Sequence, residues 1–255
     1  MKNIILPLVL LLIGCSNEKQ QQNISINDLA DIYVERILST YPESSYYVDM
    51  TIADHSGLYI PDSSNMAKWE VFEDSLYSEI QKVDDPDVLS KVDRITYWLL
   101  KEELESSIQF RICKRQLWNI NHMWGFYHGA ANIADFQPVG DETSREQAFI
   151  RWNKFPELVN TEIQNLEKGL NKGYSMPKEI VELVIDQVEI LANYELKDSP
   201  FMSPANRDSS VVFKEKWELL VLNNINPSLL KYANYLRTDY LDKARAEVSV
   251  LSLPN

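Results

Sequence analysis

Glycine, cysteine and histidine are all scarce, with seven, two and three copies among 255 residues. So little glycine goes with the lack of a Gly-rich phosphate loop and of a Gly-x-Ser-x-Gly nucleophile elbow. None of His55, His122 or His128 is followed by Glu, which excludes a His-Glu-x-x-His zinc helix. Positive charge is also short: 25 Lys and Arg face 38 Asp and Glu, a net charge of −13. That balance argues against a nucleic-acid partner and against broad adhesion to anionic lipid. No segment reaches membrane-spanning length. The apolar run Ile4–Ile13 is ten residues, about 15 Å as a helix against a hydrocarbon core of about 30 Å.

What is present at the N-terminus is more specific. Lys2, the apolar run and then Leu12-Ile13-Gly14-Cys15 read as a secretory signal ending in a lipobox. Residues 1–14 are then a lipoprotein signal peptide, and Cys15 is the lipid-attachment residue. Two or three acyl chains anchor stably at about 0.8 kcal/mol per buried methylene, so the lipid is the expected membrane partner. The expected location is the bacterial cell envelope, on the outer membrane, facing the periplasm or the surface. With Cys15 acylated, Cys113 is left alone and no internal disulfide can form. Cys113 falls in a helical stretch and reads as a small packed apolar residue.

Residues 15–25 are polar and aperiodic and read as a flexible tether. From residue 26 to 255 the pattern predicts a mainly α, multi-helix bundle of long amphipathic helices. Asn27 is the expected cap of a first helix burying Leu29, Ile32, Tyr33 and Ile37. Residues 41–64 carry Pro, Gly and Asp among β-prone residues and predict an irregular excursion or a short hairpin. A second helix follows on Trp69, Phe72, Leu76 and Ile80. A long one over 87–117 has Val92, Ile95, Leu99, Leu104, Ile108 and Ile112 as its expected core stripe. The acidic group Asp84, Asp85 and Asp87 lacks the alternation and turning glycine of a calcium loop and reads as a helix start. Residues 118–140 read as an aromatic-rich loop. Ser144 then caps a helix, Pro156 opens another that Gly173 closes, and Pro177 opens a third burying Ile180, Val184, Val188 and Leu191. Two more helices are expected to about Ala246, broken at Asn226-Pro227.

The stretch "WNINHMWGFYHG" gathers aromatic rings and amides between long helices. Trp118, Asn121, His122, Trp124, Tyr127 and His128 are candidates for the wall of a ligand cleft, or for an ordinary helix-capping core. The six-residue spacing of His122 and His128 does not put both on one helix face, so no metal ligand is assigned.

Several segments together resemble one family. "DRITYWLLKEELE", "WNINHMWG", the Gly169, Gly173, Tyr174 and Pro177 pattern, "SPFMSPA" and the closing "YLDKARAEVSVLSLPN" are similar to the N-terminal half of the bacterial domain of unknown function 885. The resemblance implies an α-helical zinc metallopeptidase. Its His-Glu-x-x-x-x-His-like motif and downstream Glu lie in the C-terminal half, so it assigns no catalytic residue and no cofactor to this chain. It also implies that the apolar ending, Val248 to Leu253, is an internal segment of a longer protein. On that reading the faces of 180–191 and 217–240 wait for a missing half to cover them. Three readings follow: a substrate-facing half that is not catalytic alone and meets peptide, a self-sufficient helical lipoprotein that binds peptide or sugar, or a decayed gene product.

Overall fold

The computed structural model of the protein describes residues 24–48 and 50–254. The signal segment 1–14, Cys15 and the tether up to residue 23 therefore lie outside the described residues. Within them the chain is a helical bundle without a strand, and its buried side chains form two clusters. No helix among the described residues is long and apolar enough to cross a membrane.

The smaller cluster belongs to α1 (Ile26–Thr40), α2 (Ser63–Ile80) and α3 (Lys91–Phe110). Ser25, not Asn27, caps α1: its Oγ accepts the Asp28 amide at 3.1 Å while the Asp28 carboxylate accepts the Ser25 amide at 3.1 Å. The Asn27 amide instead donates to Asp93 Oδ1 at 2.8 Å and ties α1 to the start of α3. Leu29 and Tyr33 are buried as expected, but Ile32 is exposed. The face of α3 also departs from the aliphatic stripe. Tyr97, Leu100 and Leu104 are buried, whereas Val92 is 69 % and Leu99 68 % exposed. A polar interaction sets this rotation. Glu73 of α2 is buried and accepts from Ser107 Oγ at 2.6 Å and from Arg111 Nη2 at 2.8 Å. Burying that carboxylate without these donors would be costly, so α3 turns Ser107 and Arg111 inward and leaves Val92, Ile95 and Leu99 outside. Asp85 caps only a short turn at Pro86–Val88, and Ser90 caps α3.

The larger cluster is built from α4 (Phe126–Phe136), α5 (Glu142–Trp152), α6 (Phe155–Asn171), α7 (Lys178–Ala192), the short α8 (Ser203–Arg207), α9 (Val211–Leu220) and α10 (Asn226–Tyr235). Helix α4 corrects the expectation of a loop over 118–140. Tyr127, Ala130 and Ala134, three and four residues apart, form its buried face. The cap of α5 is Asp141, with Ser144 as its reciprocal partner at N3. Pro156 lies in the first turn of α6, as expected. Gly173, with φ +81°, ends that helix: the Tyr174 amide reaches back to the Gly169 carbonyl at 2.9 Å.

Asn226-Pro227 does not break the last helix. The chain passes from α9 into a π-helical turn, Val221–Ile225, and straight on into α10. Proline lacks an N–H and crowds the carbonyl four residues back, and a widened turn relieves both problems. On α7 and 217–240, Val184, Val188, Trp217, Leu229, Tyr232 and Tyr240 are buried in the chain's own core, whereas Leu183, Ile190, Leu219, Leu222 and Leu230 remain exposed, as the expectation of uncovered apolar side chains had it.

Residues 41–48 and 50–62 form a strap between the two clusters, with a 3-10 turn at Pro42–Tyr47 and no hairpin among the described residues. Backbone groups that a hairpin would pair are taken by side chains of the bundle. Gln147 donates to the Ala53 carbonyl at 3.0 Å and accepts the His55 amide at 3.1 Å. Asn165 donates to the Pro61 carbonyl at 2.8 Å, and Arg151 Nε to the Gly57 carbonyl at 2.6 Å.

Candidate functional site

An apolar groove of about 840 Å³ opens where α3 ends. Its first wall follows from two consecutive 3-10 turns, Arg111–Cys113 and Arg115–Leu117, hinged at Lys114 with φ +45°. A left-handed lysine carries strain, and here it turns Phe110, Ile112, Cys113 and Arg115 into the lining. Cys113 is thus a half-buried groove residue and not a packed helical one.

Trp118 leaves the second turn and also lines the groove. Its indole N–H donates to the Cys113 carbonyl at 2.9 Å, and the Arg245 guanidinium lies 5.9 Å from its ring centre. Asn121 joins it, its Oδ1 holding the Met123 and Trp124 amides at 2.8 and 2.9 Å. The floor is Tyr174 and Met176. The Lys114 ammonium donates to the Tyr174 hydroxyl at 3.0 Å, which donates to the Pro254 carbonyl at 3.1 Å.

The far wall is the terminal segment, with Val250, Leu251, Leu253 and Pro254. It is fastened through a parallel bridge between Pro177 and Arg245, in which the Lys178 amide meets the Arg245 carbonyl at 2.9 Å. Arg245 also donates through Nη1 to the Ser175 carbonyl, and partial burial lowers its pKa from the usual arginine range. Tyr240, held up to about 12 by burial, accepts the Met176 amide at 2.8 Å. Leu251 itself is 91 % exposed, so the wall presents bare carbon to solvent.

Of the six residues proposed for a cleft wall, Trp118 and Asn121 line this groove. Tyr127 is buried and donates to Gln187 Oε1 at 2.5 Å, a core role, and burial holds its phenol well above the usual range. Trp124 is 81 % exposed, and neither it nor His122 or His128 lines the groove. The residues that sequence reasoning missed, Tyr174 and Met176 in the lining and Arg245 beside the Trp118 ring, come to the groove only through tertiary contact. Among the described residues no three His, Cys, Asp or Glu side chains are close enough to hold a metal ion. The resemblance places its zinc motif in the C-terminal half and assigns no zinc ligand to this chain.

The groove can hold an apolar, extended ligand against a tryptophan face, with the Asn121 amide and backbone carbonyls at its edge. Three comparisons bear on it. The family model described as "Bacterial protein of unknown function (DUF885)" matches residues 49–254. No curated protein matches the chain. A crystal structure described as a "putative lipoprotein" from Colwellia psychrerythraea is similar in fold, with a TM-score of 0.69 at 13 % identity, over 91 % of this chain and 44 % of that one. This chain thus spans less than half the length of that structure.

Proposed function

Because this chain belongs to the DUF885 family, we propose that it forms the N-terminal, substrate-facing part of a lipid-anchored envelope protein related to zinc peptidases, with the Trp118 groove as one wall of the cleft. The observation that carries this reading is the groove itself. The chain brings Trp118, Asn121, Tyr174 and Met176 beside a terminal segment whose apolar side chains face outward. In this reading zinc belongs to the part of the longer relatives that this chain does not span, and the chain is not catalytic alone. The expected occupant of the groove is an apolar peptide segment.

The test is calorimetric titration of the chain with an N-acetylated apolar tetrapeptide amide. Trp118→Ala is expected to weaken binding about tenfold, or 1.4 kcal/mol. Absence of binding, or binding indifferent to Trp118→Ala, would overturn the assignment. The same preparation should contain no stoichiometric zinc; about one zinc per chain, lost on changing His122 or His128, would sink the claim that the metal lies elsewhere.

The anchor is the second part of the proposal. Cys15 is expected to carry the lipid, with residues 1–14 removed. The Leu-Ile-Gly-Cys order behind the apolar run and the similarity to a lipoprotein structure support it. Mass spectrometry of the mature N-terminus decides the point, since an unmodified Cys15 or cleavage elsewhere contradicts it. One observation favours the self-sufficient binding lipoprotein instead: the burial of Val184, Val188, Leu229 and Tyr232 within the chain's own core. Tight peptide binding by this chain alone, without loss on deleting the C-terminal half of a longer relative, would select that reading.

A further inference from the structure

A second cavity, about 280 Å³ and open on one side, lies between the strap, α4 and α6. Its chemistry differs from that of the groove. Two carboxylates, Glu43 and Glu162, share it with the rings of Tyr41, Tyr59 and Phe126 and with aliphatic carbon. We propose that this cavity binds a small organic cation, an alkylammonium whose head meets Glu162 and whose tail lies along Leu58, Pro61, Ile133 and Leu158.

Glu162 is 4 % exposed, and one long hydrogen bond from Asn119 Nδ2 at 3.3 Å is all that reaches its Oε2. Among the described residues its Oε1 accepts none. Buried polar side-chain atoms normally have at least one partner; Oε1 has none among those residues and is open to a donor that enters the cavity. Glu43 does not compete for the cation on equal terms. Its Oε2 is also without a hydrogen bond, but it lies 3.8 Å from Arg151 Nη2, and those two charges offset each other. The charge left over in the cavity is that of Glu162.

The walls suit a cation with carbon attached. Tyr41 and Tyr59 have ring centres 4.8 Å apart, and aromatic faces attract ammonium groups. A divalent metal fits poorly, since no third carboxylate or imidazole joins the pair and a hard cation needs six or more oxygens. An anion would meet two carboxyl groups.

Gly129 adds an independent indication. It sits within α4, where glycine is a poor helix former, yet a Cβ added there would meet nothing within 4 Å. Packing does not require this glycine. It lines the cavity at an exposed position, and a long side chain there would crowd the cavity mouth.

Burial raises the Glu162 carboxyl to about 7, which gives binding a pH signature. The other titratable groups facing it are the Tyr41 and Tyr59 phenols and Glu43 of the strap, Arg151 of α5 behind Glu43, and Tyr232 of α10. Burial holds the Tyr41, Tyr59 and Tyr232 phenols above their ordinary range, so they stay neutral across pH 6–8. Ionisation of Glu162 above about 7 should therefore strengthen cation binding as pH rises.

The experiment is calorimetric titration of the full chain with butylammonium chloride and with a lysine-containing tripeptide amide, with butanol and calcium chloride as controls. The two amine probes separate a free amine from a peptide side chain as the source. Butylammonium should bind at pH 8 and about tenfold more weakly at pH 6. Glu162→Gln should remove that pH dependence, and Gly129→Leu should abolish binding with a melting temperature no lower than the parent's, since leucine is the better helix former. Failure of both amines to bind overturns the proposal. So does equal binding of butanol, displacement by calcium, or indifference to Gly129→Leu. Neither variant touches the Trp118 groove, so this proposal and the peptide proposal fail separately.

Discussion

Arg151→Met is expected to destabilise the fold by about 3–5 kcal/mol, the range for removing one partner of a buried charged network. Arg151 is fully buried in α5 and joins three parts of the chain. Its Nε donates to the Gly57 carbonyl at 2.6 Å, and Nη1 to the Tyr46 hydroxyl at 2.7 Å and to Gln137 Oε1 at 2.9 Å. Its guanidinium also lies 5.7 Å from the Tyr46 ring centre. Methionine matches the length of the side chain and supplies none of these donors. It would leave the Gly57 carbonyl and Gln137 without partners and Glu43 as an isolated buried charge. For a domain of this size the melting temperature should fall by about 10 °C.

A second substitution separates the charge effect from the hydrogen bonds. Burial already raises the Glu43 pKa, with Arg151 pulling it down. Without Arg151 it rises further, so the deficit of Arg151→Met should be larger at pH 8 than at pH 5. Glu43→Gln combined with Arg151→Met should recover about 1–2 kcal/mol of the loss. A deficit under about 1 kcal/mol, or one that grows as pH falls, would show that Arg151 does not hold the strap to the bundle.

Helix ends and punctuation were legible because each depends on one or two residues. Pro156 and Gly173 sit where backbone chemistry requires them, and Pro177 stands at the N-cap of α7, one position before its first turn. Helix faces were legible only where burial followed aliphatic character. In α7 it did, and Val184 and Val188 are buried. In α3 it did not, because the buried carboxylate of Glu73 fixed the orientation by drawing Ser107 and Arg111 inward. A sequence pattern counts such residues as solvent-facing. Helix α4 was hidden by the glycines and histidines around Tyr127, although Ala130 and Ala134 keep its spacing.

The site divides in the same way. Trp118 and Asn121 could be found because they are neighbours in a run rich in aromatics and amides. Tyr174, Met176 and Pro254 meet them only across the Pro177–Arg245 bridge. Glu162 was invisible for a different reason. On an amphipathic helix a lone glutamate reads as surface, and only the packing of α4 and the strap over α6 makes it 4 % exposed.

The two helix glycines, Gly129 and Gly169, should respond in opposite directions to the same change. Gly129→Ala is expected to stabilise the protein by about 0.5–1 kcal/mol, because alanine is the better helix former and the space beside it is open. Gly169→Ala gains the same propensity but is expected to lose about 3 kcal/mol net, beyond the usual cost of overpacking. Its Cβ would lie 1.8 Å from the Leu117 carbonyl oxygen and 2.7 Å from its carbon. Those are backbone atoms of the turn Arg115–Leu117, which packs directly on α6, so no side chain can swing aside. Either the helix or the turn must move. Trp118 follows Leu117 in the chain, so displacement of the turn carries its indole out of the groove and away from the Cys113 carbonyl. At a temperature where Gly169→Ala remains folded, it should therefore also lose tetrapeptide affinity, whereas Gly129→Ala should keep it. Thermal melts of both variants with titration of the folded ones provide the test. If Gly169→Ala is as stable as the parent, the contact between α6 and the turn is not tight. If it is unstable yet binds peptide normally, the groove does not depend on where that turn holds Trp118.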